Sequence, residues 1–104
     1  MNEKHDLPGL KLRLEAAFHL KSVLEGKPFA PIAPDRLAES RDRALANRMV
    51  TTALRRNGQI DAVFKEVLAK GVPQRAGILE AVLRIAVTQL LWLHDIPAHS
   101  AIHL

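Results

Sequence analysis

The sequence predicts an all-α protein, an antiparallel helical bundle of five or six helices. Three observations carry this. Apolar side chains recur at steps of three and four rather than alternating. No run joins β-branched and aromatic residues in a strand pattern: tyrosine is absent, and phenylalanine and tryptophan total four. Glycines and prolines fall between the apolar segments, where they punctuate helices.

The first helix is expected to begin near Pro8, whose missing N–H suits a first turn, and to end at Gly26, with Pro28 preventing resumption. Leu10, Leu14, Ala17, Phe18 and Leu24 make its stripe. Residues 27–34 hold three prolines in eight and read as an extended connector pinned by Phe29 and Ile32. Asp35 caps a short turn through Ala38. Ser40 then caps a long helix over 41–57, which Gly58 stops. Its core stripe is Leu45, Ala46, Met49, Val50, Ala53 and Leu54.

A short helix follows at about 60–70, with Ile60, Val63, Phe64, Val67 and Leu68 on one face and Gly71 at its end. Pro73 opens the last long helix, which runs to about Leu93. It is apolar nearly all round. Only Glu80, Arg84 and Thr88 make a polar line, so it reads as the central helix, surrounded by others. Asp95-Ile96-Pro97 breaks it. Pro97 starts another helix that has barely begun at Leu104, and so short a helix is marginal in water. The C-terminal helices therefore read as truncated.

The 104 residues suit a single domain, 1–104, at roughly 100–200 residues per domain. An apolar share of 48% supplies a core and excludes wholesale disorder. The formal charge is +4, and all of it lies in residues 1–56, with 11 basic and 7 acidic side chains against 4 and 4 in 57–104. Such asymmetry favours an anionic partner. With no cysteine, a disulfide scaffold, a thiolate zinc site and a cysteine nucleophile are excluded. The chain suits a reducing cytoplasm. Its polar N-terminus has no signal-peptide core. The most apolar stretch, 78–93, contains Glu80 and Arg84 and falls short of the roughly 20 apolar residues of a membrane span.

The basic residues are the candidate binding groups. Lys11 and Arg13 lie on the first helix, away from its Leu10/Leu14/Phe18 face. Arg41, Arg43, Arg48, Arg55 and Arg56 lie on the long helix, where Arg41, Arg48 and Arg55 are seven apart and share a face. Planar guanidinium groups suit phosphates, so this face reads as a phosphate-tracking ridge. The plainer reading is a solvated face on which Glu39 and Asp42 pair locally. His99 and His103, four apart and near His94, have the spacing of two metal ligands. They lack a third partner other than Asp95, and bracing of the final helix is the plainer role. His19 reads as a surface residue beside Glu15, and Glu80–Arg84 as a helix pair. No phosphate-cradling glycine loop or nucleophile elbow is present.

Three segments together resemble a known family. The first is Arg13-Leu-Glu-Ala16-Ala17 with Val23-Leu24-Glu-Gly26-Lys-Pro-Phe29. The second is Arg41-Asp42-Arg43-Ala44-Leu45 with Ala53-Leu54-Arg55-Arg56 and Ile60-Asp61. The third is Val82-Leu83-Arg84-Ile85-Ala86, then Gln89-Leu90-Leu91, then Asp95-Ile96-Pro97-Ala98-His99-Ser-Ala101-Ile102. In this order they are similar to the NusB-type helical domain over about residues 10–104. The nearest version is the N-terminal domain of the Fmu/Sun (RsmB) family of 16S ribosomal RNA cytosine-5 methyltransferases. Pro97 followed by His99 favours that appendage over the free-standing antitermination factor.

The resemblance implies a NusB-like bundle that binds RNA, with Arg13 at the position of a family arginine that contacts it. The run of arginines that free-standing members often carry before this point is absent, and this sequence has only Lys4 and Lys11 there. The resemblance also implies a longer parent chain, with a cysteine nucleophile and S-adenosylmethionine in a separate domain. These 104 residues would then be an N-terminal fragment with no catalytic residue, cofactor or metal of its own. Its partners would be ribosomal RNA and the parent's own C-terminal catalytic domain. Two rivals remain: an antitermination factor acting on nascent RNA, and an interdomain scaffold whose basic face is incidental. With later helices absent, Leu90, Leu93, Ile96 and Ile102 are expected to expose apolar surface and to favour a homodimer.

Overall fold

The computed structural model describes residues 9–67 and 77–95. Four helices run in chain order: α1 (Leu10–Leu24), α2 (Ser40–Arg55), α3 (Asn57–Val67) and α4 (Ile78–Trp92). The fold class is all-α: the described residues contain no strand and four helices, against the five or six expected of the whole chain. Gly71, Pro73 and the helix expected from Pro97 lie outside the described residues, as do Leu68, His99 and His103.

α1 starts two residues past Pro8. Gly9 precedes it at φ 78°, a left-handed conformation that glycine adopts without strain. A Cβ at Gly9 would collide with the Arg13 guanidinium, which donates to the Gly9 carbonyl at 3.1 Å. The helix ends on the expected side of Gly26, itself at φ 102°.

Of the predicted stripe of α1, only Ala17 is fully buried. Leu12, Ala16, Ala17 and Leu20 are buried together with Arg13 and Glu15, while Phe18 is 51% exposed and Leu24 41%. Leucines at 10, 12, 14, 20 and 24 surround this helix, so their spacing fits two faces equally. Packing chooses between them. α1 lies against both α2 and α4, and the alanine pair lets two neighbours approach where a leucine pair would hold them off.

After α1, Ile32 is buried and its N–H donates to Asn47 Oδ1 at 3.1 Å, pinning the connector to α2 as predicted. Phe29 is exposed instead, and Leu37 supplies the second buried anchor. The turn expected after Asp35 is present one residue earlier, with the Arg36 N–H donating to the Ala33 carbonyl. Ser40 is the first residue of α2 rather than its cap. Glu39 holds the capping position in extended conformation and makes no side-chain capping bond.

α2 buries Ala46, Met49, Val50 and Ala53, with Leu45 and Leu54 packed at the edges, as its spacing predicts. Gly58 does not stop it. The break falls at Arg56, and Gly58 sits inside the first turn of α3. This early turn lets α3 bury Ile60 and Phe64. Val67, predicted on the same face, is 71% exposed.

α4 packs against all three other helices. Its orientation reverses the sequence expectation. Arg84, Thr88 and Gln89 face inward with Ala81 and Ile85, while Leu79, Leu83, Leu90 and Leu91 are exposed. The reason is that the polar groups have partners inside. The Thr88 hydroxyl donates back to the Arg84 carbonyl at 2.7 Å, and the Arg84 and Gln89 side chains bond to other helices. Leu93, expected at the surface, is buried.

The burial pattern separates two leucines of α1. Leu20→Ala is expected to destabilise the domain by about 2–5 kcal/mol in denaturant unfolding. Leu24→Ala, on the predicted stripe but at the surface, is expected to cost less than about 1 kcal/mol.

Candidate nucleic-acid interface

The seven basic residues singled out by the sequence divide into two groups. Four are engaged within the fold. Arg13 is buried, its Nε donating to Gln89 Oε1 at 3.0 Å and its Nη1 to the Gly9 carbonyl. Burial pushes its guanidinium below the ordinary arginine value. Its expected place, away from the packed face of α1, is therefore corrected: it joins α1 to α4. Arg43 Nη1 donates to the Leu37 and Ala38 carbonyls, both at 2.7 Å, tying the segment before α2 to the helix.

Arg56 lies half-buried at the α2–α3 break. Its guanidinium stands 5.4 Å from the centre of the Trp92 ring and donates to Gln59 Oε1 at 3.1 Å. Arg48 is exposed but forms a bidentate pair with Asp95, at 2.7 and 2.9 Å. That pair holds Asp95 below the usual carboxylate range and raises Arg48, the Arg48 hydrogen bond being the main cause for Asp95.

The remaining three, Lys11, Arg41 and Arg55, are exposed and have no ion-pair or hydrogen-bond partner among the described residues. Glu39 and Asp42, expected to pair locally, form no ion pair with them. On α2, Arg41 and Arg55 flank Arg48 one heptad away on each side, so three guanidinium groups share one face over about 21 Å of helix. Near Lys11, α1 and the start of α2 border a groove of about 540 Å³ that also takes in Leu37, Glu39 and Asp42.

Arg84 had only its helix neighbour Glu80 in view from sequence. In the structure it is the centre of a cluster. Its guanidinium donates to Glu80 Oε2 at 2.9 Å, Asn57 Oδ1 at 2.9 Å and Asp61 Oδ1 at 2.6 Å, and lies 4.9 Å from the centre of the Phe64 ring. The cluster closes the α3–α4 contact. The Ile60-Asp61 and Leu83-Arg84 segments of the family pattern are thus two halves of one ion pair, and Asp95 of that pattern pairs with Arg48 of α2.

Sequence reasoning also missed a small pocket on α1. Glu15, Phe18, His19 and Ser22, spaced along one face, enclose about 210 Å³ with Arg36 of the connector. His19 Nδ1 donates to the Glu15 backbone carbonyl at 3.0 Å. The one signal available was an aromatic residue among polar neighbours, which helical spacing absorbed into a core stripe. The His94 ring donates from Nε2 to the Leu91 carbonyl at 2.6 Å, bracing the end of α4. Among the described residues, no group of three potential metal ligands gathers, and no helix is long and apolar enough to cross a membrane.

The NusB family model matches residues 11–104. The chain belongs to the NusB family. Curated proteins and solved structures offer no match.

Two measurements check the internal roles of these side chains. A double-mutant cycle on Arg13→Met and Gln89→Leu is expected to show a coupling of about 1–3 kcal/mol, because either single change strands a buried polar partner. The Arg48–Asp95 pair adds stability above the unfolded carboxylate pKa of about 3.9, and that contribution disappears as pH falls through the lower folded value. Thermal melts of the protein and of Asp95→Asn should differ near neutral pH and converge in strong acid.

Proposed function

We propose that this NusB-family domain docks ribosomal RNA for a cytosine-5 methyltransferase domain elsewhere in a longer chain. One observation carries the docking: Lys11, Arg41 and Arg55 remain exposed without a partner among the described residues, while Arg13, Arg43 and Arg84 are consumed by the fold. Groups that the fold does not use are available to phosphates. Arg48 joins them by exchanging one anion, Asp95, for another. Such contacts displace counterions and give affinity without reading sequence. Tethering then raises the RNA concentration at the catalytic domain.

The methyltransferase parent is supported by the resemblance of the Gln89-Leu90-Leu91 and Asp95-Ile96-Pro97-Ala98-His99 segments. S-adenosylmethionine would belong to that catalytic domain. A second reading, an interdomain scaffold or a homodimer, is favoured by the apolar line Leu79, Leu83 and Leu90 on the outer side of α4. Contiguous apolar surface of this kind usually meets a partner.

Anisotropy titrations of ribosomal RNA fragments at several salt concentrations test the docking. With phosphates neutralised by Lys11, Arg41 and Arg55, log K should fall with log salt at a slope of about −2 for single strands, and of about −3 once Arg48 also engages. Arg41→Glu and Arg55→Glu should each weaken binding uniformly across sequences and flatten that slope by about 0.7 or more. Absence of binding at low salt would leave the scaffold reading in its place.

A further inference from the structure

The pocket on α1 has a chemistry that phosphate docking does not use. Glu15 is one of the few charged residues that the fold buries, at 9% exposure. Its Oε1 has no hydrogen-bond partner among the described residues, and its Oε2 meets Arg36 only at 3.9 Å. A buried carboxylate normally accepts several hydrogen bonds, and leaving it short is costly. The terminal torsion of glutamate is broad, so either oxygen can turn toward the pocket. The carboxylate is therefore an acceptor waiting for a donor.

The walls define which donor fits. Phe18 is half-exposed beside Glu15 and offers a flat apolar ring to solvent. Arg36, with its side chain 62% exposed, stands on the connector side and carries the positive charge. His19 is fixed by its Nδ1 bond to the Glu15 carbonyl. The cavity of about 210 Å³ is smaller than the roughly 300–1,000 Å³ of a drug-sized site. A flat ring bearing an amino group, attached to an anion, satisfies all of these at once.

Resting on the RNA-docking reading, we infer that this pocket is a nucleobase subsite selecting an amino-bearing base over uracil. The base stacks on Phe18, its exocyclic amine donates to the Glu15 carboxylate, and Arg36 holds the adjoining phosphate. Single-stranded RNA is recognised by such stacking combined with hydrogen bonds to base edges. A carboxylate can only accept, so it suits the cytosine N4 amine. Uracil places carbonyl oxygens on both sides of its ring N–H, and these repel the carboxylate. Lys11 lies four residues before Glu15, on the same face of α1, and extends the subsite into the cationic surface.

The test is a titration of oligo(C) and oligo(U) of equal length at neutral pH and constant salt, since the two pyrimidines differ chiefly at this amino edge. The protein is expected to prefer oligo(C) by about tenfold. Glu15→Gln, whose amide both donates and accepts, should bring the ratio close to one while leaving the salt slope unchanged. Phe18→Ala should weaken both oligomers by about 5- to 100-fold, and Phe18→Leu nearly as much, because leucine is apolar without a stacking face. Phe18 is exposed, so its variants report even if Glu15→Gln does not fold. Salt-dependent binding with equal affinity for the two oligomers, or indifference to Phe18→Ala, would overturn the subsite and leave phosphate docking standing. Failure of the unaltered protein to bind any RNA would overturn both. Binding of a lysine-rich peptide instead, lost in Glu15→Gln, would assign the carboxylate to a protein partner and overturn the nucleobase assignment.

Discussion

Arg84 is held by Glu80, Asn57 and Asp61 and by the face of Phe64, and this cluster sets how the second half of the molecule is arranged. A guanidinium nearly removed from water must keep its partners. Keeping them obliges α4 to turn its polar side inward and brings α3 against it. Once α4 is so turned, Gln89 reaches Arg13 on α1, and Leu79, Leu83 and Leu90 are left facing outward. The orientation of one helix thus follows from its polar residues, not its apolar ones.

The same economy governs the arginines. Arg13, Arg43, Arg56 and Arg84 bridge elements of the fold, and Arg48 links α2 to the residues after α4. Charge counted from sequence treats these as equals of Arg41 and Arg55. The structure divides them by whether an internal acceptor has already claimed the fork. Of the seven candidate residues, the exposed ones that no described acceptor claims are Lys11 on α1 and Arg41 and Arg55 on one face of α2.

Much of the architecture was legible in the sequence. α2 carries a single unambiguous apolar stripe, and its core residues were read correctly. Gly26 and the proline-rich connector marked the end of α1. What was not legible depended on contacts between distant residues. α1 has leucines all round, so only its two neighbours decide which face is buried. Ser40 and Gly58 have the right chemistry for a cap and a stop, yet packing of Ile32, Leu37, Ile60 and Phe64 sets those boundaries elsewhere. Arg13 looked solvent-facing because Gln89, 76 residues away, is invisible to local periodicity. The Glu15 pocket was hidden because Phe18 fitted a core pattern.

Alanines fill much of the space where the helices meet: Ala16 and Ala17 on α1, Ala46 and Ala53 on α2, Ala81 on α4. A side chain this small leaves almost nothing to remove and no room to add. The helix junctions are therefore asymmetric in the variation they admit. Loss of a methyl group leaves a small void, whereas any larger side chain must push two backbones apart and drag the Arg13 and Arg84 bonds with them. Change in this domain is channelled outward, to the long exposed side chains on α1, α2 and the far side of α4.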